Sequence, residues 1–277
     1  MSKSAGHPNT SIDFIDAQQS AGISQRQRSL AQITEMIYSA HLIHNGIINL
    51  QPSLLSQSKK AMDLHFGNKI SVLSGDFLLA SVWKGLGELR DTKVFKLMVT
   101  AIGDFMEGQF VIETKNAGTK FWEERNFLVV GSLQANICQS ALQLAGHEES
   151  LQLKAYDFGK NIAIGLQAFI ELQPFIDSYK HPLDTAPTFD LISAPVILHI
   201  ENNGEPLDSI IINNSNDESQ QYDFKKLHSL VRNGPAISKT RQLITEYTDK
   251  ALEALECFPS SDATNALSNI VFALREQ

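Results

Sequence analysis

The residues best suited to chemistry lie in a short stretch near the N-terminus, residues 35–49, which reads EMIYSAHLIHNGIIN. His41 and His44 are three residues apart, so they share one face of a helix and have a spacing that suits zinc binding. A zinc site needs three or four protein ligands, and no further ligand follows at a recognisable spacing. The pattern therefore favours packing or hydrogen bonding over metal binding.

Two carboxylates in apolar surroundings are the other candidates, Asp76 within residues 67–83 and Glu171 within residues 165–175. We expect Asp76 to be buried in a helical bundle, where a carboxylate accepts hydrogen bonds from a neighbouring helix or caps a turn. We interpret Glu171 as a solvated helix residue. The sequence contains no Gly-x-Gly-x-x-Gly and no phosphate-binding loop. These residues alone therefore define no active site.

Composition narrows the function classes. The chain has 277 residues, 43% of them hydrophobic, which is enough to bury a sizeable core. A net charge of -8 and a pI near 5.5 disfavour a surface for nucleic acid or for acidic membranes. No apolar run approaches the ~18 residues of a transmembrane helix. Cys138 and Cys257 lie in apolar helical patterns and are predicted to be reduced core residues of an intracellular protein.

Long helices are expected to position these residues, because no proline occurs between positions 52 and 174. Apolar residues three and four apart predict helices at about 24–50, 68–90, 92–110, 121–146 and 151–177, and shorter ones at about 188–200, 222–232, 237–257 and 260–275. Thr92 is the predicted N-cap of the third helix. The β-branched runs at 196–200 and 210–212 could form strands, but they show no regular alternation. The predicted class is all-α.

Two blocks of the sequence resemble the trans-polyprenyl diphosphate synthases. Residues 28–50 are similar to that family's Glu-Met-Ile-His-x-Ala-Ser-Leu-x-His-Asp-Asp-x-x-Asp segment, and residues 66–80 to its Gly-Asn-x-x-Ala-x-Leu-x-Gly-Asp-Phe-Leu-Leu-Ala segment. The residues that match the family pattern are Glu35, His44, Gly67, Asn68, Gly75, Asp76 and Gln167. With further similarity at 156–175, 193–198 and 247–274, the resemblance covers about residues 26–275.

The resemblance implies the helical bundle of the isoprenoid (terpenoid) synthase fold. Its helical domain is expected at residues 25–277, behind a polar segment at residues 1–24. Family members have further helices upstream, including a segment that binds isopentenyl diphosphate, so this chain is expected to be short at its N-terminus.

The chain departs from the family at the positions that bind metal. In active members two aspartate-rich motifs hold the magnesium ions that clamp the allylic diphosphate. The positions of the first motif hold Asn45, Gly46 and Asn49, and those of the second hold Ile170, Glu171 and Pro174. A lysine and a threonine that support the diphosphate align with Val129 and Val130. Since Mg²⁺ prefers charged oxygen ligands, we expect neither a catalytic residue nor a metal in this chain.

Degenerate motifs in a retained fold are typical of the non-catalytic subunit 2 of heteromeric all-trans-decaprenyl (nonaprenyl, solanesyl) diphosphate synthases. The resemblance implies a catalytic partner subunit that holds Mg²⁺, in a complex expected to be a heterotetramer. Such complexes condense isopentenyl diphosphate onto an allylic primer to make the side chain of ubiquinone. A mitochondrial matrix location is expected by resemblance, although no presequence is visible, and a cytoplasmic location is the alternative.

Family dimers pack through the second and third helices of the retained block. The candidate partner interface is therefore Phe77, Leu78, Val82, Phe95, Met98, Ile102, Phe105 and Phe110. Two other hypotheses remain open. One is an autonomous enzyme with altered chemistry that uses His41, His44 and Glu171. The other is a helical scaffold or terpenoid-binding protein. Magnesium-dependent diphosphate binding by the isolated chain separates the first of these from a non-catalytic subunit.

Overall fold

The computed structural model describes residues 24–50, 59–111, 118–176, 189–202, 211–212 and 221–275. Within these ranges the α-helices are α1 (Gln25–Asn45), α2 (Lys59–Leu89), α3 (Thr92–Gln109), α4 (Thr119–Asn126), α5 (Ser132–Leu144), α6 (Glu149–Leu172), α7 (Ala194–Glu201), α8 (Phe224–Asn233), α9 (Ala236–Leu255) and α10 (Asp262–Ala273). A π-helical turn, Phe127–Gly131, joins α4 to α5, and a 3₁₀ turn, Gln173–Phe175, follows α6.

The predicted all-α class is confirmed. The strands in the described ranges are β1 (Ile211–Ile212) and β2 (Gln221–Tyr222), which form one antiparallel pair. The apolar run at 196–200 lies within α7 and is not a strand. The predicted segments at 1–23, 177–188 and 213–220 lie outside the described residues.

Several helix boundaries differ from the predicted ones for local reasons. α1 ends at Asn45, where Gly46 caps the helix by donating its amide to the last carbonyls, so the helix stops five residues before the predicted end. α2 begins at Lys59, well before residue 68, because periodicity alone does not mark a helix start. The predicted cap at Thr92 is wrong. The Asp91 carboxylate accepts the amides of Lys93 and Val94 at 3.1 and 3.0 Å.

Among the described residues, 24–99 and 140–148 form one compact unit. In it α1 packs along α2, with Leu30, Ile33, Ile37 and Ala40 buried on α1 and Val82, Leu86 and Leu89 buried on α2. Ile33 lies over Gly85, where an added Cβ would come within 2.9 Å of the isoleucine. A Ser24 capping box begins α1. The two helices of the first motif region are therefore held by an apolar seam.

Residues 100–139 and 149–275 form the second unit. The most extensive helix–helix contact in this unit is between α6 and α9. One core cluster gathers side chains from α4, α6, α7 and α9: Trp122, Ile164, Ala168, Leu172, Ala194, Ile197, Leu243, Ile244 and Tyr247, together with Ile192. Trp122, which is 1% exposed, is the largest fully buried side chain of the described residues. The second motif lies at the end of α6, next to this cluster.

One sequence-based prediction about the cysteines needs correction. Cys138 packs against Gly159, where an added Cβ would come within 2.9 Å of Cys138 Sγ, and burial raises the pKa of this thiol to about 11. Cys257 is exposed, because it lies past the last turn of α9 and no longer on the helix face that the apolar spacing continues. None of the helices in the described ranges is long and apolar enough to cross a membrane.

Candidate functional site

The first motif region is built on the last turn of α1, and His44 joins that turn to α2. His44 Nε2 lies 3.4 Å from the carbonyl oxygen of Val72 and 3.5 Å from Asp76 Oδ1. Gly75 leaves room for the ring, since a Cβ on Gly75 would overlap the imidazole. Asp76 is exposed, so its predicted burial is wrong. Its carboxylate lies beside His44 at the solvent-exposed border of the contact between α1 and α2.

The position that follows His44 is occupied by an amide that is already hydrogen-bonded. Asn45 Nδ2 donates to His41 Nε2 at 2.7 Å. Burial, and then repulsion from His44, lower the pKa of His41, which keeps the ring neutral and able to accept this bond. Gly46 and Asn49 are exposed and offer no carboxylate. Asn45 and His41 are therefore paired with each other at the place where the family has its first aspartates.

Asn68 fixes the segment that follows α1. Its side-chain oxygen accepts the Ile48 amide at 3.0 Å, and its side-chain nitrogen donates to the Ile48 carbonyl at 2.6 Å. The side-chain amide thus replaces a backbone partner for a residue outside any helix. Gly67 and Glu35 are both exposed, and an added Cβ on Gly67 would meet no atom within 4 Å.

The second motif region holds one carboxylate, and that carboxylate points inward. Glu171 is partly buried, so its interpretation as a solvated residue is wrong. Trp122 Nε1 donates to Glu171 Oε2 at 2.8 Å, and the Ala194 amide donates to the same oxygen at 2.7 Å. Gln167 Nε2 donates to Oε1 at 2.8 Å. The pKa of Glu171 is raised, chiefly because the carboxyl group is buried, and the negative charge of Asp190 adds to the rise. The three hydrogen bonds lower the pKa and offset part of this effect.

The other two positions of the second motif have no ligand side chain. Ile170 is exposed on α6. Pro174 lies in the 3₁₀ turn, where its carbonyl accepts a hydrogen bond from His228 Nε2 at 2.8 Å. The valines that align with the family's diphosphate-binding lysine and threonine lie in the π-helical turn. Gly108 of α3 lies against Val129, since an added Cβ would come within 2.8 Å of Val129 Cγ2.

The side chains at the six motif positions do not fit a magnesium site. Mg²⁺ needs oxygen ligands in near-octahedral geometry and usually takes one or two carboxylates together with phosphate oxygens. Of the six motif positions, Glu171 alone is a carboxylate, and both of its oxygens accept hydrogen bonds from the protein. Within the part of the chain that the structure describes, no three His, Cys, Asp or Glu residues are grouped closely enough to hold a metal ion.

The predicted partner interface divides by burial. Phe77, Phe95 and Phe110 are exposed, and Leu78 is partly buried. The remaining four side chains are buried in the protein's own core: Val82, Met98, Ile102 and Phe105. The prediction that these four side chains are available to a partner is therefore corrected. An apolar helix position packs inward whenever another helix of the same chain covers it.

Sequence reasoning missed an exposed apolar face on α2. Five large side chains share it at spacings of three and four: Met62, Phe66, Ile70, Leu73 and Phe77. The spacing predicts a common face for Ile70, Leu73 and Phe77, but periodicity does not reveal whether another part of the chain covers that face. Trp122 and the Ala194 amide, the partners of Glu171, were missed as well, because they lie 49 and 23 residues away in sequence.

Comparisons with known proteins show the family of this chain. The sequence profile of the polyprenyl synthetase family matches residues 7–171. A human protein named all trans-polyprenyl-diphosphate synthase PDSS2 is 39% identical over 282 residues, which cover 99% of this chain and 69% of that protein. A probable mitochondrial hexaprenyl pyrophosphate synthase of Yarrowia lipolytica is 29% identical over 92% of this chain and 58% of its own length.

Solved structures give the same fold. The apo form of an Arabidopsis medium/long-chain length prenyl pyrophosphate synthase superposes with a TM-score of 0.72 at 21% identity, over 91% of this chain and 81% of that chain. A polyprenyl synthase from Caulobacter crescentus gives 0.73 at 21% identity, over 94% and 81%. The predicted isoprenoid synthase fold is confirmed.

Proposed function

The chain belongs to the polyprenyl synthetase family, and from that premise we propose that it is a non-catalytic subunit of a heteromeric all-trans-polyprenyl diphosphate synthase. In such a complex a partner subunit with intact aspartate-rich motifs condenses isopentenyl diphosphate onto an allylic primer. This chain contributes folded surface to the complex and no reacting group.

One observation carries the proposal. Five of the six motif positions lack a carboxylate, and both oxygens of the sixth, Glu171, accept hydrogen bonds from the protein. Transfer of a prenyl group requires the charge of the leaving diphosphate to be neutralised, which hard cations on carboxylates supply. The side chains at the motif positions of this chain support a role in assembly and not in prenyl transfer.

The exposed face of α2 supports a protein partner. At 100° per residue, the five residues from Met62 to Phe77 fall within one narrow stripe, opposite the side that buries Val82, Leu86 and Leu89. Phe77 is 71% exposed and Phe66 is 65% exposed. Soluble monomers rarely expose a contiguous patch of this kind, and such patches mark interaction sites.

The stripe has a defined length and a polar end. From Met62 to Phe77 it spans about 22 Å along the helix axis, at 1.5 Å per residue. Lys84 and Glu88 follow on the same side of α2 as an ion pair at 3.9 Å. An apolar centre with a charged border is the usual anatomy of a protein–protein interface. We therefore place the catalytic subunit on this stripe, with Phe77 retained from the predicted interface.

The remaining parts of the proposal rest on the names of relatives. Magnesium is expected in the catalytic partner, and the polyprenyl product is expected to supply the side chain of ubiquinone. Three relatives, from Yarrowia lipolytica, Neurospora crassa and Oryza sativa, have names that place them in mitochondria, which supports a mitochondrial location for this chain. A heterotetramer is the proposed stoichiometry.

Co-expression tests the proposal. This chain and a catalytic polyprenyl diphosphate synthase subunit from the same source are produced together, and the affinity-purified product is assayed for incorporation of labelled isopentenyl diphosphate. We expect the two chains to co-purify and the complex to exceed the catalytic subunit alone in activity. Failure to co-purify, together with unchanged activity, contradicts the proposal.

Matched variants locate the contact. Phe66→Glu and Phe77→Glu place a charge on the stripe and are expected to abolish co-purification, because a buried unpaired charge strongly opposes association. His65→Glu adds the same charge at an exposed position on another side of α2 and is expected to leave binding intact. Since all three side chains are exposed, each variant should keep its own stability to within about 0.5 kcal/mol. Equal binding by the three variants would remove α2 from the interface.

A further inference from the structure

We infer that Glu171 is a positioning residue that joins α4, α6 and the start of α7, and that this role has replaced metal coordination at the second motif. The inference is drawn from the described residues of the second unit. It rests on the proposed function only where the catalytic partner enters the test.

The hydrogen bonds of Glu171 reach three different elements. Oε2 receives the indole N–H of Trp122 from α4 and the amide of Ala194, the first residue of α7. Oε1 receives Gln167 Nε2 from the preceding turn of α6. A carboxylate has about four acceptor positions, so three donors at 2.7–2.8 Å use most of its capacity.

Each donor depends on Glu171 to a different degree. The Trp122 indole is in the core and can donate only through Nε1, so loss of the acceptor leaves a buried polar group. The Ala194 amide is among the first amides of α7, which have no partner within the helix. Ser193, the residue before α7, makes no side-chain cap. Glu171 therefore supplies the acceptor for this helix start.

A second carboxylate ties α4 to the other end of α7. Glu201, the last residue of α7, accepts the Thr119 amide at 2.6 Å and also accepts the Thr119 hydroxyl. Thr119 is the first residue of α4. The two short helices are thus connected directly through Glu201, and Glu171 connects both of them to α6. Of these two carboxylates, Glu171 is the one that lies on the long helix α6.

The side-chain length explains the residue type. Glu171 has to span from α6 to an indole and to a helix start at once. An aspartate, which is one methylene shorter, would move its oxygens back toward α6 by about the length of a carbon–carbon bond. An amide at position 171 keeps a carbonyl oxygen for Trp122 and Ala194, and it loses the charge and the second acceptor oxygen, which faces Gln167 at the end of a neighbouring turn of α6. The geometry thus predicts that glutamine conserves this role, whereas a metal ligand requires the carboxylate.

Indole resonances test the inference, because the chain has two tryptophans and the indole of one of them, Trp122, donates to Glu171. In ¹H–¹⁵N spectra of the full chain, Glu171→Ala should shift the Trp122 indole resonance and leave that of Trp83 in place. Glu171→Gln should leave both close to the wild-type positions. Trp83→Phe assigns the two peaks. An unchanged Trp122 resonance in Glu171→Ala would show that the contact is absent and would overturn the inference.

Thermal unfolding gives a second, independent measurement. Glu171→Ala leaves three donors without this acceptor, and two of them, on Trp122 and Ala194, are buried. Its Tm should therefore fall by about 5–15 °C, and that of Glu171→Gln by less than about 5 °C. Trp122→Phe keeps the ring and removes the N–H. The losses of Trp122→Phe and Glu171→Ala should therefore be less than additive in the double variant. If Glu171→Ala fails to fold, the other two variants still test the positioning role of Glu171. A Tm loss for Glu171→Gln that equals or exceeds the loss for Trp122→Phe contradicts that role.

Calorimetric titration with Mg²⁺ and inorganic pyrophosphate separates positioning from metal binding. The isolated chain is expected to show no magnesium-dependent binding, either as wild type or as Glu171→Gln. Binding by the wild type that Glu171→Gln abolishes would identify Glu171 as a ligand and overturn the inference. In complex with the catalytic partner, Glu171→Gln should match the wild type in activity. If the wild-type chain itself does not stimulate the partner, the proposed function fails while the indole result stands.

Discussion

The two motif regions depart from the family's aspartate-rich pattern in different ways. At the end of α1 all three motif positions are uncharged, and their side chains are exposed or bonded to a neighbour on the same helix, as Asn45 is to His41. At the end of α6 one carboxylate persists, Glu171, and it is bonded to the indole of Trp122 and to the start of α7. The motif positions of the first region lie at the surface without a carboxylate, and the one carboxylate of the second region is hydrogen-bonded next to the core.

The difference separates residues that make contacts between helices from residues that do not. His44, Gly75 and Asn68, which match the family pattern, lie where α1 and its following segment contact α2. Asn45, Gly46 and Asn49 contribute nothing comparable to packing. Retained family residues in this chain therefore indicate structural contacts, and they do not by themselves indicate catalysis.

The largest expected effect contrasts a core residue of the second region with a surface residue of the first. Trp122→Ala should lower the free energy of unfolding by about 3–5 kcal/mol, because it empties a buried site and removes a donor to Glu171. Leu42→Ala, on a side chain of α1 that is 63% exposed, should cost less than about 0.5 kcal/mol. Urea unfolding of both variants measures the difference. Similar losses would mean that the two regions are equally buried.

The contact between Gly75 and His44 gives the next effect. Gly75→Ala should destabilise the chain by about 1–2 kcal/mol, because the new methyl group displaces the imidazole. In a His44→Ala background the same change should be neutral or stabilising by up to about 1 kcal/mol, since alanine favours a helix more than glycine does. A double-mutant cycle by chemical unfolding gives the coupling. Additive effects would remove His44 as the reason for the glycine.

Asn68→Ala tests how the end of the first region is held. The change removes both hydrogen bonds to Ile48 and should cost about 0.5–1.5 kcal/mol, because this part of the chain is solvated. Asn68→Asp keeps the acceptor for the Ile48 amide and loses the donor, so it should fall between the wild type and alanine. Faster exchange of the Ile48 amide in Asn68→Ala is the direct readout. Unchanged exchange contradicts the contact.

The smallest expected effect is a pH dependence that belongs to the second region alone. Burial raises the pKa of Glu171, so the fold favours the neutral acid. The stability that this gives is present below the ordinary glutamate pKa of 4.5 and is lost as pH rises through the raised pKa. Glu171→Gln cannot lose a proton, so its stability relative to the wild type should increase over that window. A difference that is constant with pH would contradict the raised pKa.

Much of the fold could be predicted from the sequence. Apolar residues three and four apart, with no proline over a long span, predict helices in the right order, and the motif blocks indicate the isoprenoid synthase fold. Boundaries were less predictable. α2 begins at Lys59, before the clear apolar periodicity, and Asp91 caps α3 in place of Thr92, because both hydroxyl and carboxylate side chains favour that position.

The candidate site could be predicted only in part. The loss of the aspartates is visible in the sequence, but the orientation of Glu171 is not, because its partners come from distant elements. Burial on α2 and α3 shows the same limit. Phe77 and Val82 have equal apolar character, yet one is exposed and the other is in the core. The periodicity of apolar residues predicts which side chains share a helix face, but the packing of the chain determines whether that face is covered.

Reciprocal inactivation of the complex tests the central claim most directly. In one complex the aspartates of the catalytic partner's first motif are replaced by asparagine, and this chain is wild type. In the other the partner is intact, and this chain carries Glu171→Gln. Incorporation of labelled isopentenyl diphosphate is expected to disappear in the first complex and to remain at the wild-type level in the second. Activity that survives in the first complex and is lost in the second would show that this chain carries the chemistry.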